Sequence, residues 1–263
     1  MCQQLDITRA AYYKWLHRAI PEAEQENILL AQLIREYDDR FNHILGYRRM
    51  ALYINRLNNE HYSKNRIHRI MKVINIHSVI RRKRKKYQSA APEATAENIL
   101  NRDFYAKAPN EKWATDVTEF KWYEGPVIHK LYLSAILDLY DLTPVSWVVS
   151  RRNDNKLVLD TFAKAIQNNP DAKPIFHSDR GFQYTNKIFH QKLVDAGMIQ
   201  SMSRVGRCLD NAPMEGWWGI LKSEMYYLKK FTSREALVSA IEDYIHFYNT
   251  RRYQKRLRAI IEW

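Results

Sequence analysis

Apolar residues in the first part of the chain recur every three to four positions, which is the spacing of one face of an α-helix. In residues 26–37 this spacing places Leu29, Leu33 and Tyr37 on one stripe and the charged residues elsewhere. Residues 48–57 follow the same pattern and predict a second helix. The first 75 residues are therefore predicted to form a mostly helical module.

A third helix is predicted to begin after Ser63, because a serine side chain suits the N-cap position. This helix carries Ile67, Ile70 and Met71 on one side. It also carries four basic residues at helical spacing, which are Lys64, Arg66, Arg69 and Lys72. Two short helices joined by a polar turn, the second of them basic, are typical of a helix-turn-helix, although any small helical bundle shows the same pattern.

After Pro109 the pattern changes to the alternation that predicts β-strands. Residues 112–122 alternate, and the apolar runs 127–137 and 143–149 follow after short turns, which predicts three antiparallel strands. The later elements are predicted as a helix over 154–167, a strand over 175–177, a helix after Thr185, a strand over 199–202, a helix over 213–228 and a last helix after the capping box Thr232-x-x-Glu235. This order predicts an α/β architecture built on a mixed five-stranded sheet flanked by helices.

The composition excludes several protein classes. The chain has 263 residues, 46% of them apolar, which is enough to bury a sizeable core. Two cysteines, Cys2 and Cys208, can form neither a disulfide framework nor a zinc finger. The sequence has no run of about 18 apolar residues and no signal-peptide pattern, so we expect a soluble intracellular protein.

Positive charge is concentrated in one short part of the chain. The formal net charge is +13, and residues 61–92 hold ten basic side chains and no acidic one. At their centre stand six consecutive cations, Arg81, Arg82, Lys83, Arg84, Lys85 and Lys86. Such a run is either a solvated linker or a segment that binds the phosphates of a polyanion. The basic helix that precedes it favours binding to nucleic acid.

Three carboxylates have unusual surroundings in the predicted fold. Asp116 lies within an apolar strand, Asp179 follows the fourth strand, and Glu215 lies in the first turn of a helix. A charge in a central strand is costly unless it is paired or binds a metal ion. Carboxylates that meet at strand ends suit Mg²⁺ or Mn²⁺, and two such ions can drive the cleavage of a phosphodiester. Salt bridges and helix caps are the alternative roles for each acid.

Each acid also lies within a longer motif. The motifs are Trp113-Ala-Thr-Asp116-Val-Thr118, His177-Ser-Asp179-Arg-Gly181-x-x-Tyr184, Asp210-Asn211-Ala-Pro-Met-Glu215 and, farther on, Tyr248-Asn249-Thr-Arg251-Arg252. Between Asp179 and Glu215 lie 35 residues, and Lys222 follows Glu215 by seven positions. These features resemble those of DDE transposases and retroviral integrases of the Asp-Asp-35-Glu group. Upstream, Tyr12-Tyr13-Lys14-Trp15-Leu16 and Gly46-Tyr47-Arg48-Arg49 are similar to the OrfB-type transposases of two-frame bacterial insertion sequences.

The resemblance implies a ribonuclease-H-like core that cuts and joins DNA at the ends of an insertion sequence. Asp116, Asp179 and Glu215 would hold two Mg²⁺ or Mn²⁺ ions, and Lys222 would grip a phosphate next to them. Further DNA contacts are expected from Lys64, Arg66, Arg69 and the six cations at 81–86. The expected partners are double-stranded DNA of the element ends and the target, further copies of the chain on DNA, and the upstream-frame protein, all in the bacterial cytoplasm at the nucleoid and without a membrane.

The predicted organisation has four parts, which are a basic helical DNA-binding module at 1–86, a linker at 87–109, an integrase catalytic core at 110–230 and a C-terminal helix and tail at 231–263. Relatives usually continue farther, which implies a truncated copy. Two alternatives stay open, a ribonuclease-H-like structure-specific nuclease and a truncated, inactive DNA-binding remnant. Near the acids, His177 is expected to be a core histidine bonded to the backbone, and Trp217 and Trp218 are expected to pack in the core.

Overall fold

The computed structural model describes residues 7–80, 97–204 and 208–253. The chain forms two compact units, Met1–Ile80 and Arg81–Trp263, and each is described here by itself. The six consecutive cations Arg81, Arg82, Lys83, Arg84, Lys85 and Lys86 lie outside the described residues, so their role in DNA binding stays a prediction. Within the described ranges, every helix is too short or too polar to cross a lipid bilayer.

The first unit is helical, as predicted. Its helices are α1 (Arg9–Leu16), α2 (Glu22–Arg40), α3 (Tyr47–Leu57) and α4 (Lys64–Val73). The Ser63 side chain caps α4 by accepting a hydrogen bond from the backbone N–H of Arg66 at 3.2 Å, which confirms the predicted start of this helix. Ile67, Ile70 and Met71 are buried on its inner side, also as predicted.

In the predicted apolar stripe of α2, Tyr37 is correct, but Leu29 and Leu33 are each one position too early. The buried apolar residues are Leu30, Ile34 and Tyr37, whereas Leu29 is 64% exposed. Apolar residues are adjacent here, at 28–30 and 33–34, so two neighbouring stripes fit the sequence equally well. The packing of α2 in the folded unit selects one of them, and a single helix in isolation carries no information about that choice.

The second unit is built on the mixed five-stranded sheet that the sequence predicts. Its strands are β1 (Lys112–Glu124), β2 (Val127–Asp138), β3 (Pro144–Ser150), β4 (Ile175–Ser178) and β5 (Ile199–Met202), in the order β3-β2-β1-β4-β5. The first three pair antiparallel, and β4 and β5 run parallel to β1. The helices are α5 (Asn155–Asn168), α6 (Lys187–Asp195), α7 (Ala212–Glu224) and α8 (Arg234–Thr250).

Apolar side chains cover both faces of the sheet. One cluster joins the strands to α7 and α8 through residues such as Leu133, Leu221 and Ile241. The other joins them to α5 and α6 through residues such as Phe162 and Phe189. Because successive side chains of a strand point to opposite faces, the alternating strands predicted from the sequence supply one half of each cluster.

Residues 97–109, the described part of the predicted linker, are packed onto the second unit. Leu100 and Ala106 are each 3% exposed and belong to the same cluster as α7 and α8. Phe104 packs against the same cluster, and Lys112 Nζ donates to the carbonyl oxygens of Asp103 and Tyr105. The C-terminal helix α8 belongs to that core as well, through Leu237, Ile241, Tyr244 and Tyr248.

Two predicted helix starts are one residue too early. Asn186 rather than Thr185 caps α6, and Ser233 rather than Thr232 caps α8. Serine, threonine and asparagine all accept the capping hydrogen bond, so adjacent candidates cannot be ranked from sequence alone. Helix α7 ends at Glu224, and a separate 3₁₀ turn follows.

His177 is fully buried in the core, as predicted, and it has two serine partners besides a backbone contact with Asp210. Its Nδ1 lies 2.9 Å from Ser201 Oγ and its Nε2 lies 3.2 Å from Ser203 Oγ. Burial lowers the pKa of His177 to about 4, because an imidazolium ion is poorly solvated there. A neutral imidazole offers one donor and one acceptor, which matches the two hydroxyl groups.

The contribution of His177 to the unfolding free energy is therefore expected to rise with pH between about 4 and 6.5. In this range the unfolded chain binds a proton at His177 that the folded chain does not bind, so the contribution of this residue is up to about 1.4 kcal/mol per pH unit. Urea unfolding of the wild type and of His177→Gln across this range measures the effect. The two pH slopes should differ by this amount, and equal slopes would show that His177 titrates normally.

Candidate active site

Two of the three conspicuous carboxylates are brought together by the pairing of parallel strands. Ala114 of β1 lies opposite His177 of β4. Two residues farther along each chain come Asp116 and Asp179, the second of them just beyond the end of β4. Neighbouring parallel strands advance together, so this register places both acids at the same region of the sheet.

The third carboxylate, Glu215, is brought to this region by helix α7. Trp218, one helical turn after Glu215, donates its Nε1–H to Asp116 Oδ2 at 2.9 Å. Residues three positions apart share one side of a helix, so this hydrogen bond holds the Glu215 side of α7 against β1. The charges of Asp179 and Glu215 both act on the carboxyl group of Asp116, which shows that the three acids form one electrostatic group.

Burial and mutual repulsion make this group a poor place for free negative charge. Burial, followed by the charge of Asp179, raises the pKa of Asp116 to about 7. Burial also raises the pKa of Asp179 above its usual range, against the effect of a hydrogen bond from the Gly181 backbone. A divalent cation would remove both penalties, because it neutralises the carboxylates and replaces their lost hydration.

A backbone N–H group holds one carboxylate oxygen of each aspartate. Asp116 Oδ1 accepts a hydrogen bond from the N–H of Val117 at 2.8 Å, and Asp179 Oδ1 accepts one from the N–H of Gly181 at 2.8 Å. Each carboxylate oxygen has two lone pairs, so these bonds orient the groups and still leave oxygen lone pairs available for other ligands.

A buried carboxylate that the sequence analysis did not single out supports the base of α7. Asp210 is fully buried and accepts hydrogen bonds from the Arg204 backbone and guanidinium, from Arg102 Nε at 2.6 Å and from Asn98 Nδ2 at 2.9 Å. The guanidinium of Arg204 holds the pKa of Asp210 well below its usual range. These charge-assisted bonds tie residues 97–102 to the turn that leads into α7.

Asn211, the residue after Asp210, attaches the start of α7 to β1. Asn211 Nδ2 donates to the carbonyl oxygen of Thr115 at 3.2 Å, and Thr115 directly precedes Asp116. Glu215 therefore lies between two contacts of α7 with β1, one from Asn211 and one from Trp218. The position of Asp210-Asn211 shortly before Glu215 was visible in the sequence, but their partners were not.

Lys222 lies on the same side of α7 as Glu215, as its spacing predicts. Its Nζ lies 5.1 Å from the centroid of the Phe120 ring, close enough for a cation–π contact. The opposite side of the helix is buried, through Met214, Trp217 and Leu221. A phosphate contact by Lys222 stays a prediction.

Three segments of the chain match known protein families. Residues 106–208 and residues 215–260 each match a profile described as an integrase core domain, and residues 24–84 match an HTH-like domain. InsK, the transposase assigned to insertion sequence element IS150 of Escherichia coli strain K12, is 38% identical over 216 residues, which are 82% of this chain and 75% of that protein. A 31 kDa protein of insertion element IS600 from Shigella sonnei is 33% identical and covers 99% of this chain and 95% of its own length.

The chain belongs to the insertion-sequence transposases. The resemblance stated from its motifs is confirmed, and so is the mixed five-stranded sheet flanked by helices that was predicted for its integrase core. Among solved structures, the HTLV-2 integrase catalytic core domain in complex with magnesium aligns with a TM-score of 0.45 and 19% identity, over 57% of this chain and 94% of that one.

This transposase is a DDE-type polynucleotidyl transferase, as predicted. The comparisons lend no support to the structure-specific nuclease or to the inactive DNA-binding remnant. Its HTH-like and integrase core domains imply that it binds DNA, and its family implies the use of divalent metal ions.

The basic residues of the HTH-like domain differ in how far they are engaged within the first unit. Lys64 and Arg69 are exposed on α4. Arg66 instead donates to Glu26 Oε2 at 2.8 Å and to Asn27 Oδ1 at 2.9 Å, both on α2. These bonds use two of the five N–H donors of the Arg66 guanidinium group and hold it against α2.

Within the described residues, the compact group of possible metal ligands is a different cluster from the predicted one. Asp38, Asp39 and His43 in the first unit have donor atoms that all lie within 4.8 Å of one another. Asp39 and His43 are exposed, and such groups are common without a bound ion. The oxygen atoms of the three predicted acids do not form so tight a group.

Gly181 is expected to be essential for the position of Asp179. A Cβ atom at this position would lie 3.0 Å from Asp179 Oδ1 and 3.0 Å from Gln183 Oε1, so Gly181→Ala must displace one of these groups. A misplacement of about 1 Å in an active site can cost about a hundredfold in rate, so a shift of a few tenths of an ångström is expected to cost about tenfold. The strand-cleavage rate should fall by this factor while the affinity for DNA stays unchanged.

Gly216→Ala is the matched control, because an added Cβ there meets no atom within 4 Å. This substitution is expected to raise the unfolding free energy by about 0.5–1 kcal/mol, since alanine is the better helix former. A cleavage rate in Gly181→Ala equal to that of the wild type would show that Asp179 tolerates displacement.

Proposed function

We propose that Asp116, Asp179 and Glu215 are the catalytic, metal-binding residues of this transposase, and that they hold two Mg²⁺ or Mn²⁺ ions at the ends of β1 and β4. The observation that carries the proposal is the raised pKa of Asp116, a half-buried carboxyl group that lies close to two further acids. Three carboxylates are a hard oxygen donor set, which suits these ions.

The number of ions is proposed from the chemistry of the reaction, because two ions can cleave a phosphodiester. Asp116 interacts with both other acids, while the oxygen atoms of all three do not gather within 4.8 Å. Asp116, Asp179 and Glu215 would together hold both ions through their carboxylate oxygens. Bound ions of this kind activate an attacking oxygen and stabilise the leaving oxygen of a phosphodiester.

The remaining roles belong to binding and positioning. Lys222 lies on the Glu215 side of α7 and would hold a DNA phosphate beside the acids. Water would serve as the nucleophile for strand cleavage, and a DNA 3′-hydroxyl for joining. No covalent bond between protein and DNA is needed in this scheme.

The first unit would hold the DNA of the element ends. Lys64 and Arg69 are exposed on α4 and are the first candidates for contacts with DNA. Arg66 would support α4 from within the unit through Glu26 and Asn27, or would contact DNA after losing these bonds. The six cations at 81–86 would add phosphate contacts that do not depend on sequence.

Transposition joins two element ends to one target, so we propose that several copies of the chain act together on DNA. The upstream-frame protein of the same element is a further proposed partner. Action on chromosomal DNA would place the transposase in the bacterial cytoplasm, at the nucleoid.

The proposal is tested with the purified full chain and duplexes that carry the DNA flanking its gene. Cleavage and joining should require Mg²⁺ or Mn²⁺ and should stop when the ions are chelated. Substitution of any of the three acids should have the same effect as chelation, whereas Glu119→Gln, a change at a carboxylate paired with Lys130 elsewhere on β1, should not. Cleavage that persists in a chelator would refute the assignment.

A further inference from the structure

One hydrogen bond joins the two elements that carry Asp116 and Glu215. Trp218 of α7 is 6% exposed and directs its indole Nε1–H to Asp116 Oδ2, at 2.9 Å. The other oxygen, Oδ1, accepts the N–H of Val117 at 2.8 Å. The carboxylate is thus held at both oxygens, once by its own strand and once by the helix that carries Glu215.

A carboxylate held at one oxygen can still rotate about its Cβ–Cγ bond, whereas one held at both oxygens has a fixed plane. The direction of the remaining lone pairs is then fixed as well, before any cation arrives. Groups that hold metal ligands in this way are typically worth about 10–100-fold in metal affinity or activity.

We propose that Trp218 is a positioning residue of this transposase. Its N–H orients the Asp116 carboxylate for metal binding and couples that orientation to the helix that presents Glu215. The proposal rests on the assignment of Asp116 as a metal ligand. It goes beyond that assignment, because it gives a specific role to an indole N–H that the sequence indicates only as core packing.

Trp217, the neighbouring tryptophan, allows the role of the Trp218 N–H to be distinguished from packing of its ring. Trp217 is 2% exposed, and the centroids of the two indole rings lie 4.6 Å apart. Within the described residues, Trp217 Nε1 is buried and has no hydrogen-bond partner. Both side chains therefore fill the core, but only the N–H of Trp218 reaches a carboxylate of the proposed centre.

The experiment titrates Mn²⁺ into the full-length protein and measures the free ion by electron paramagnetic resonance, which needs no turnover. Trp218→Phe removes the N–H and keeps an aromatic ring, and it should weaken Mn²⁺ binding by about 10–100-fold. Trp217→Phe makes the same chemical change one residue away and should leave Mn²⁺ affinity unchanged. Asp116→Asn, in the same titration, gives the affinity that remains without the proposed ligand.

Each outcome decides the question. Wild-type affinity in Trp218→Phe, or equal losses in both tryptophan variants, would reduce Trp218 to packing. Wild-type affinity in Asp116→Asn would refute the metal assignment itself and the present inference with it. If Trp218→Phe does not fold, benzothienylalanine at this position keeps the indole shape and removes only the donor, and the same loss of affinity is expected.

Discussion

Asp116→Asn is expected to abolish the Mg²⁺-dependent cleavage and joining of DNA. The amide cannot carry the negative charge that neutralises a cation, and the loss of one member of a catalytic group typically costs on the order of 10³-fold or more in rate. Affinity for DNA should stay close to that of the wild type, because positive charge supplies it and the chain carries a formal net charge of +13. Gel-based cleavage assays and binding titrations in parallel measure the two quantities.

The same variant tests whether the carboxylate costs stability in the folded chain. The pKa of Asp116 is raised from 3.8 to about 7, so the folded state loses stability as the pH rises from the first value through the second. In a chelator at pH 8, the unfolding free energy of Asp116→Asn should therefore exceed that of the wild type by about 1–2 kcal/mol. The variant should accordingly unfold at a higher urea concentration. Retained cleavage would remove Asp116 from the centre, and a lower stability would make a loss of activity uninformative.

The sheet was predictable because its signals are local. Strand alternation and the turn at Gly125 fix the extent of β1 and β2, and the observed strands end within two residues of the predicted ones. For the helices, the positions along the chain were predicted well, but the buried face of α2 and the exact capping residues were not. The α2 stripe moved by one residue, and the caps of α6 and α8 moved by one, because adjacent residues of the same kind satisfy each local rule equally well.

The acids of the site were visible from sequence because each breaks a local rule. Asp116 places a charge inside an apolar strand, and its motif and those of Asp179 and Glu215 have a known spacing. The hydrogen bonds that hold these acids and the start of α7 in place were not visible, since they join residues far apart in the chain. Arg102 and Asp210 are 108 positions apart, and Asp116 and Trp218 are 102 apart. Only the fold determines such partners.

Removing the charge of the basic run at 81–86 is expected to weaken binding to all duplexes almost equally. Phosphate contacts carry no base information, and each one contributes about −0.9 to the slope of log affinity against log salt. Replacing all six residues with glutamine should flatten this slope by about 5 if every one meets a phosphate. Titrations across salt concentrations, on element-end and scrambled duplexes, measure the slope and the preference together.

A matched control removes six positive charges from the exposed surface of the second unit. The residues are Arg151, Arg152, Lys156, Lys173, Lys187 and Lys192. Both variants lower the net charge equally. A larger loss of DNA affinity in the variant at 81–86 would therefore show phosphate contacts rather than an effect of total charge. Replacing Arg69 alone should instead change the preference between the two duplexes, provided that α4 enters a major groove. An unchanged slope after the six substitutions at 81–86 would show that this run is a solvated linker, and the DNA affinity would then have to come from α4 and the integrase core.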